Sequence, residues 1–398
     1  MLSVAEAQAV VLRHARPLPP ITVELTPQAL GLVLAEDVSS DLDMPPFDKA
    51  LMDGFAVRSA DLAAGRLALR VTGEIAAGQT PNNPLGSGEA VQIMTGAPLP
   101  DGADTVIMIE RTRREGDKVV VEAAPAGANV LGKAREMKRG EVVLPGGTVL
   151  RPQEFGLLAT VGRTSVSARP RPNVAVLPTG DELVEAGEKP GAGKIRNGNG
   201  PMLLAQVARA GGVPRYLGIA RDNVESHHAK AGEGLESHLL ILSGGVSAGK
   251  RDLVPEVLEQ LGVQAHFHRV LMKPGKPVLF GSRGERLVFG LPGNPVSAMV
   301  CFELFVRPAI RILCGQRDPG PFVIEATLSE DFSYRSDRPT YHPARLATDA
   351  KTPQVGLTSW FGSADLRAVA SANAFAILPA GENQLRAGQL VPVLKIEN

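Results

Sequence analysis

From about residue 168 to 316, apolar runs of strand length alternate with segments of helix length. This alternation constrains the fold more than any other feature of the chain. "NVAVLPTG" reads as a buried strand and "GPMLLAQVARAGG" as a helix with a glycine stop. "PRYLGIA", "LLILSGG" and "LVFGLPG" are further strands. The segment after Asn223, "DLVPEVLEQLG" and the long "NPVSAMVCFELFVRPAIRILCG" are helices. Strands separated in this way predict a parallel sheet covered by helices on both faces. Ligands of such sheets sit beyond the carboxyl ends of the strands.

The flanking sequence is different. A chain of 398 residues is too long for one ordinary core, so two to four domains are expected. Ser3 and Glu6 have the spacing of a capping box for a first helix, whose inner face continues through Val10, Val11 and His14. Pro17, Pro19 and Pro20 end it. Short β-type runs ("LALRVTGEI", "AVQIMTGA", "DTVIMIE", "KVVVEAA") separated by turns mark residues 43–140 as β-rich. "EVVLPGGTVLRPQEFGLLATVG" reads as strand, turn and helix, placed to pack back on the N-terminal segment. The expected division is a segmented domain of residues 1–42 and 141–167, a β-rich domain of 43–140, the α/β domain of 168–316 and a C-terminal β domain of 317–398. Strands in the last are "FVIEATLSE", "AFAILPA" and "QLVPVLKI".

Composition excludes some functions. Lys plus Arg and Asp plus Glu both total 42, so no basic face for nucleic acid is implied. No segment approaches the ~18 uninterrupted apolar residues of a membrane span. Glu6 interrupts the first apolar run and no basic stretch precedes it, so the start does not read as a signal peptide. Cys301 and Cys314 fall in one helical pattern, about 20 Å apart, and cannot pair within it. Buried thiols in a reducing cytoplasm are the expectation.

Four loops of the α/β domain follow strand ends. "PTGDEL" carries Gly180, Asp181 and Glu182; "ILSGGVSAGKRD" carries Ser243, Gly244, Gly245 and Asp252. "MKPGKP" places Lys273 and Lys276 on a loop stiffened by proline. "LPGNPVSA" carries Pro292, Gly293, Asn294 and Ser297, with Asn294 suited to an N-cap and Pro295 to the first helical position. A helix start offers free N–H groups to an anion, and glycines let backbone N–H groups approach a phosphate. Lysines, an anion cradle and carboxylates together suggest a phosphorylated or nucleotide-like ligand with Mg²⁺ between the like charges. Each loop alone is more often a turn than a site; four at the ends of one sheet are not readily dismissed. "GGVSAGK" matches a P-loop only superficially, because Arg251 stands where the hydroxyl that binds Mg²⁺ belongs. His266 and His268 share one strand face without a third ligand, so a structural or surface role is expected rather than zinc.

With "MDGFAV" and "QIMTGAPLPDGADTVIMIE" upstream, these motifs resemble, in order and over essentially the whole chain, the molybdopterin molybdenumtransferase family, the group of bacterial MoeA and the gephyrin E domain. The resemblance implies the four domains above, with a molybdopterin-binding α/β domain and a barrel-like C-terminal domain, in an elongated homodimer. It implies a reaction in which adenylylated molybdopterin and molybdate bind, AMP leaves, and molybdenum passes to the dithiolene. Lys273, Lys276 and Ser297 would line the molybdate pocket. Asp181, Glu182 and Asp252 would hold Mg²⁺ or orient phosphates, and Asp53 and Thr95 would act from the partner subunit. A molybdopterin adenylyltransferase and molybdoenzyme apoproteins are the implied further partners.

The chain departs from the family pattern at several places. Lys49-Ala50-Leu51 stands for Asn-Ser-Ala, Ala134-Arg135-Glu136 for Gly-Glu-Asp, and Asn197-Gly198-Asn199 for Asp-Thr-Asn. Asn223 replaces the second Asp of Arg-Asp-Asp. Pro343 stands where an Arg is expected, and Arg345, two residues on, shares its strand face. Three readings remain open at this point: an active molybdenum-inserting enzyme, a weakly catalytic paralogue that binds or carries the cofactor, and a pterin-adenylylating nucleotidyltransferase.

Overall fold

The structure, a computed structural model, describes residues 1–246, 253–348 and 352–396. It divides into two compact units, Met1–Glu36 with Gly147–Pro152 and Ser165–Asn398, and Asp37–Gly146 with Gln153–Thr164.

The first unit opens with helix α1 (Val4–His14). Its capping box forms: Ser3 Oγ accepts from the Glu6 N–H and the Glu6 carboxylate accepts from the Ser3 N–H. The α/β sheet follows in chain order as β1 (Asn173–Pro178), α2 (Asn199–Arg209), β2 (Val213–Tyr216), α3 (Val224–Gly234), β3 (Leu239–Ser243), α4 (Val254–Gln260), β4 (Gln264–Phe267), β5 (Leu279–Arg283) and β6 (Arg286–Leu291). Strand order is β2-β1-β3-β6-β5-β4. β2, β1, β3 and β6 run parallel, as the alternation predicts. Beyond them β5 runs antiparallel to both β6 and β4, so the sheet ends in an antiparallel edge. The physical reason is connection length: β5 and β6 are joined by a two-residue turn, too short for a crossover helix.

Strand periodicity feeds two cores. Val174, Val176, Leu239, Ile241, Leu287 and Phe289 point to one face; Ala175, Leu177, Leu240, Leu242 and Val288 point to the other. After β6 comes α5 (Pro295–Cys301), continued by a π-turn at Phe302–Val306 and by Arg307–Leu313. Cys301 and Cys314 are buried free thiols, as expected. Burial pushes the Cys314 thiol up to about 11. The unit ends in a closed barrel of Val323–Leu328, Gln354–Leu357, Thr340–Ala347, Ala374–Leu378 and Leu390–Lys395.

His266 lies on β4 and His268 just beyond it, so the strand face that the sequence predicts for them does not form. Both have structural partners: His266 Nε2 is 2.8 Å from Ser282 Oγ, and His268 Nε2 is 2.8 Å from Val246 O.

The second unit holds a six-stranded sheet ordered Thr105–Met108, Gly54–Val57, Glu89–Ile93, Ala68–Ile75, Lys118–Val121, Thr112–Glu115. All but one of its neighbour pairs are antiparallel, the exception being Ala68–Ile75 with Glu89–Ile93. Lys49–Ala50 pairs with Val130–Leu131, and Val38–Ser39 with Val142–Leu144. No helix among the described residues is long and apolar enough to cross a membrane.

Candidate functional site

The carboxyl ends of β1, β3 and β6 open onto a cavity of about 620 Å³. That volume suits a ligand of nucleotide size. Three tight turns shape its floor. After β1, Gly180 has φ +146° and a Cβ there would lie 2.4 Å from a Glu182 carboxylate oxygen, so Glu182 folds over a position only glycine leaves open. After β3, Gly244 has φ +105°, and a Cβ there would meet Thr179 O at 2.6 Å. Its N–H is already donated to Leu291 O at 3.0 Å, so Gly244 serves by close approach and not as a phosphate donor. After β6, Pro292 and Gly293 lead into α5.

The start of α5 also differs from the expectation. Asn294 holds the N-cap position but makes no capping bond. Its Nδ2 donates instead to Ser363 Oγ at 2.7 Å, and Ser363 O accepts the Val296 N–H at 3.0 Å. The loop that carries Ser363 belongs to the C-terminal part of the chain. It also brings Ala364 and Leu366 into the cavity wall.

Asn199, at the start of α2, ties this floor together. Its Nδ2 donates to Ser243 Oγ and to Gly293 O, both at 2.8 Å, linking the ends of β3 and β6. The sequence places Asn199 in a motif but gives no sign of these bonds. Beside it, buried Asn197 accepts the Gly200 N–H at 2.9 Å and donates to Tyr216 Oη at 2.9 Å. Tyr216 donates to Glu185 at 2.8 Å. Burial first, then that hydrogen bond, pushes the Tyr216 hydroxyl up to about 12.

Of the residues singled out in the sequence, Gly180, Glu182, Ser243, Gly244, Gly245, Pro292, Gly293 and Asn294 line the cavity. Asp222 joins them. Asp181 is exposed; its carboxylate accepts the Asp222 N–H at 3.3 Å, and its own N–H is donated to Asp222 at 3.1 Å. Asn223 caps α3 by accepting the Ser226 N–H, a bond Asp would make equally well. Lys273 and Lys276 are exposed and outside the cavity lining, though Pro277 belongs to it. The backbone of Lys273 is held on both sides, its N–H by Pro339 O at 2.8 Å and its carbonyl by the Tyr341 N–H at 2.7 Å. Gly275 between the lysines has φ +107° and packs against Cys301. Ser297 is buried one turn into α5. Arg345 is exposed on the barrel strand Thr340–Ala347, opposite Gly356. Asp252 lies outside the described residues, as do Lys250 and Arg251.

In the second unit Asp53 and Thr95 meet directly. Asp53 Oδ1 accepts from both the Thr95 N–H and the Thr95 hydroxyl at 2.7 Å. The backbone bond first, then the hydroxyl, holds the exposed Asp53 carboxyl below the usual carboxylate range. Next to it Gly54 is required sterically: a Cβ would lie 1.9 Å from Ile107 O on the neighbouring strand.

Three family models cover this architecture. The MoeA N-terminal region (domain I and II) matches residues 2–162, the probable molybdopterin binding domain residues 175–312, and the MoeA C-terminal region (domain IV) residues 325–396. Molybdopterin molybdenumtransferase of Staphylococcus aureus is 35% identical over 403 residues, covering 100% of this chain and 96% of the relative. The chain belongs to the molybdopterin molybdenumtransferase family. The Staphylococcus epidermidis family member is likewise 35% identical, over 404 residues. Among solved structures of the family, a molybdopterin biosynthesis MoeA protein of Pyrococcus horikoshii superposes with a TM-score of 0.82 at 30% identity, covering 99% of this chain and 100% of the other. A molybdenum cofactor biosynthesis protein of Pyrococcus furiosus shares the fold, with a TM-score of 0.60 at 21% identity over 99% of this chain.

Proposed function

We propose that this chain is a cytoplasmic molybdopterin molybdenumtransferase that takes adenylylated molybdopterin and molybdate, releases AMP and delivers molybdenum to the dithiolene. The observation that supports this reading best is the cavity at the ends of β1, β3 and β6 in a chain that matches the family from end to end. Its floor is rich in small and polar residues and suits a phosphate-bearing ligand. Asn199 holds two of the floor loops at a common spacing. Glu182 and Asp222 are among the lining residues, and each carries hard oxygen donors.

Mg²⁺ fits this donor set as a cation shared with the substrate. Among the described residues no group of three His, Cys, Asp or Glu side chains is disposed to hold a metal ion alone. Two carboxylates leave coordination positions for phosphate oxygens and water, which is how Mg²⁺ is commonly held. Bound there, it would offset charge on the phosphate and on the departing AMP. Lys273 and Lys276 are assigned to molybdate. Asp53 and Thr95 are assigned to the partner subunit of a homodimer.

The test is AMP release from adenylylated molybdopterin with Mg²⁺, with and without molybdate. Molybdate-dependent release supports the transferase. Pterin binding without release supports the carrier, and ATP consumption with free pterin supports the adenylyltransferase. Asp53→Ala and Lys273→Ala should each abolish release while leaving the unfolding transition in place; full activity in both would sink the site assignment.

A further inference from the structure

The exposed part of the cavity lining is mixed, with Ile195 and Leu366 standing beside Glu182, Arg196 and Asp222, and an exposed aromatic side chain lies a few residues from it in the chain. Ile195 and Leu366 line the cavity yet are 58% and 39% exposed. Phe361 stands three residues before the lining residue Ala364, within about 10 Å by chain geometry. It is 91% exposed, the most exposed large hydrophobic side chain among the described residues. A single exposed apolar residue is ordinary. This one sits on a loop that is held in place. Trp360 Nε1 donates to Gly362 O at 2.5 Å, the Phe361 N–H to Asp365 Oδ2 at 3.1 Å, and the Asp365 N–H to Gly362 O at 3.1 Å. Ser363 anchors the loop to the start of α5 through both its carbonyl and its hydroxyl. Trp360 packs edge-on against His342, ring centroids 5.0 Å apart. The backbone is thus fixed while the Phe361 ring is presented to solvent.

Among the described residues, none that lines the cavity is aromatic. A ligand with phosphate on the floor and a flat ring at the rim finds no π-face inside. We propose that Phe361 is the stacking platform for the flat heteroaromatic ring of the phosphorylated ligand that enters this cavity. The proposal rests on the functional reading above in taking that ligand to be adenylylated molybdopterin, which carries two such rings, an adenine and a pterin. Phosphate contacts set the ligand's position, and the ring adds contact area that needs no hydrogen-bond partner of its own.

Titration calorimetry with Mg²⁺ tests it, using AMP, molybdopterin and pyrophosphate as probes on the full chain. Because Phe361 is exposed, Phe361→Ala should unfold at the wild-type temperature. It should bind one ring-bearing probe about five- to a hundred-fold more weakly. Pyrophosphate, which has no ring, should bind unchanged, and Phe361→Trp should keep wild-type affinity. Loss with AMP assigns the adenine to Phe361; loss with molybdopterin assigns the pterin. Equal weakening of pyrophosphate overturns the proposal, as does unchanged affinity for every probe. Loss of self-association on sedimentation with ligand affinity intact overturns it in favour of a protein-docking role. If the wild-type chain binds neither AMP nor molybdopterin, the functional reading itself falls, and this proposal with it.

Discussion

Lys49 Nζ and Glu136 Oε1 lie 3.2 Å apart, an ion pair between two positions that both depart from the family pattern. Where the pattern has Asn and Asp, this chain has a longer cation facing a longer anion. The two departures therefore answer each other. Both side chains are partly exposed, 28% and 46%, so the pair contributes modestly. A double-mutant cycle on Lys49→Asn and Glu136→Asp should give a coupling of about 0.2–1 kcal/mol, shrinking with added salt. Zero coupling at low salt would show the two changes to be independent.

Asn197 cannot be replaced by Asp without loss. Tyr216 has one hydroxyl proton, which it gives to Glu185, so toward Asn197 it presents a lone pair. Asn197→Asp would set a buried carboxylate against that lone pair. The variant should be about 1–3 kcal/mol less stable to urea. Glu185→Gln should bring the Tyr216 hydroxyl down from about 12, read by ultraviolet titration. A Tyr216 titration unmoved by Glu185→Gln would contradict the network.

Asn199 holds the cavity floor through two donated hydrogen bonds, and an acid cannot make them. Asn199→Asp and Asn199→Ala should lose stability by about 1–3 kcal/mol, two bonds of ordinary worth. On the proposed function, both should lower the AMP-release rate more than they weaken pterin binding. Wild-type rates in both variants would remove Asn199 from the site.

Two backbone positions give opposite outcomes. Gly54→Ala should destabilise the second unit by about 1–3 kcal/mol, because its methyl group meets the Ile107 carbonyl. Ala134, which stands where the family pattern has Gly, has φ +59°. Ala134→Gly should relieve a left-handed conformation and stabilise by about 1 kcal/mol. Melting temperatures moving the same way in both variants would refute this account.

Three histidines make stability fall in mild acid. Burial holds His238, His266 and His342 below the ordinary imidazole value, with Arg286 adding to the effect at His238 and His14 at His266. His238 Nδ1 accepts the Asn173 N–H at 3.0 Å, and the His266 ring lies 3.8 Å from that of His14. A depressed folded value means that the unfolded chain binds protons first. Their contribution is therefore complete above about pH 6.5 and is lost as pH falls toward the folded values. The urea unfolding free energy should be lower at pH 5.5 than at pH 7.5, and replacing all three by Gln should flatten that slope. A free energy that rises on acidification would rule this out.

Much of the α/β architecture was legible in the sequence because it rests on local periodicity. The Ser3–Glu6 capping box, the alternation of Val174 to Leu177 between two cores and the glycine turns after β1 and β3 each follow from residues a few positions apart. Their physics is short-range: rotamers, caps and strand pleat. Neither β5 nor its antiparallel direction was read from the pattern, since its short apolar run follows a proline-stiffened loop and no helix separates it from β6. Asn294 illustrates the limit more sharply. Its type and position predict a helix cap, yet Ser363, 69 residues away, takes its side chain. Asn199 reaches Ser243 and Gly293, 44 and 94 residues on. By itself the sequence determined the parallel strands of the α/β sheet, the helices between them and the loops that follow those strands. Only the tertiary structure decided which side chains meet across those loops, because hydrogen-bond partners distant in the chain are selected by how the elements pack.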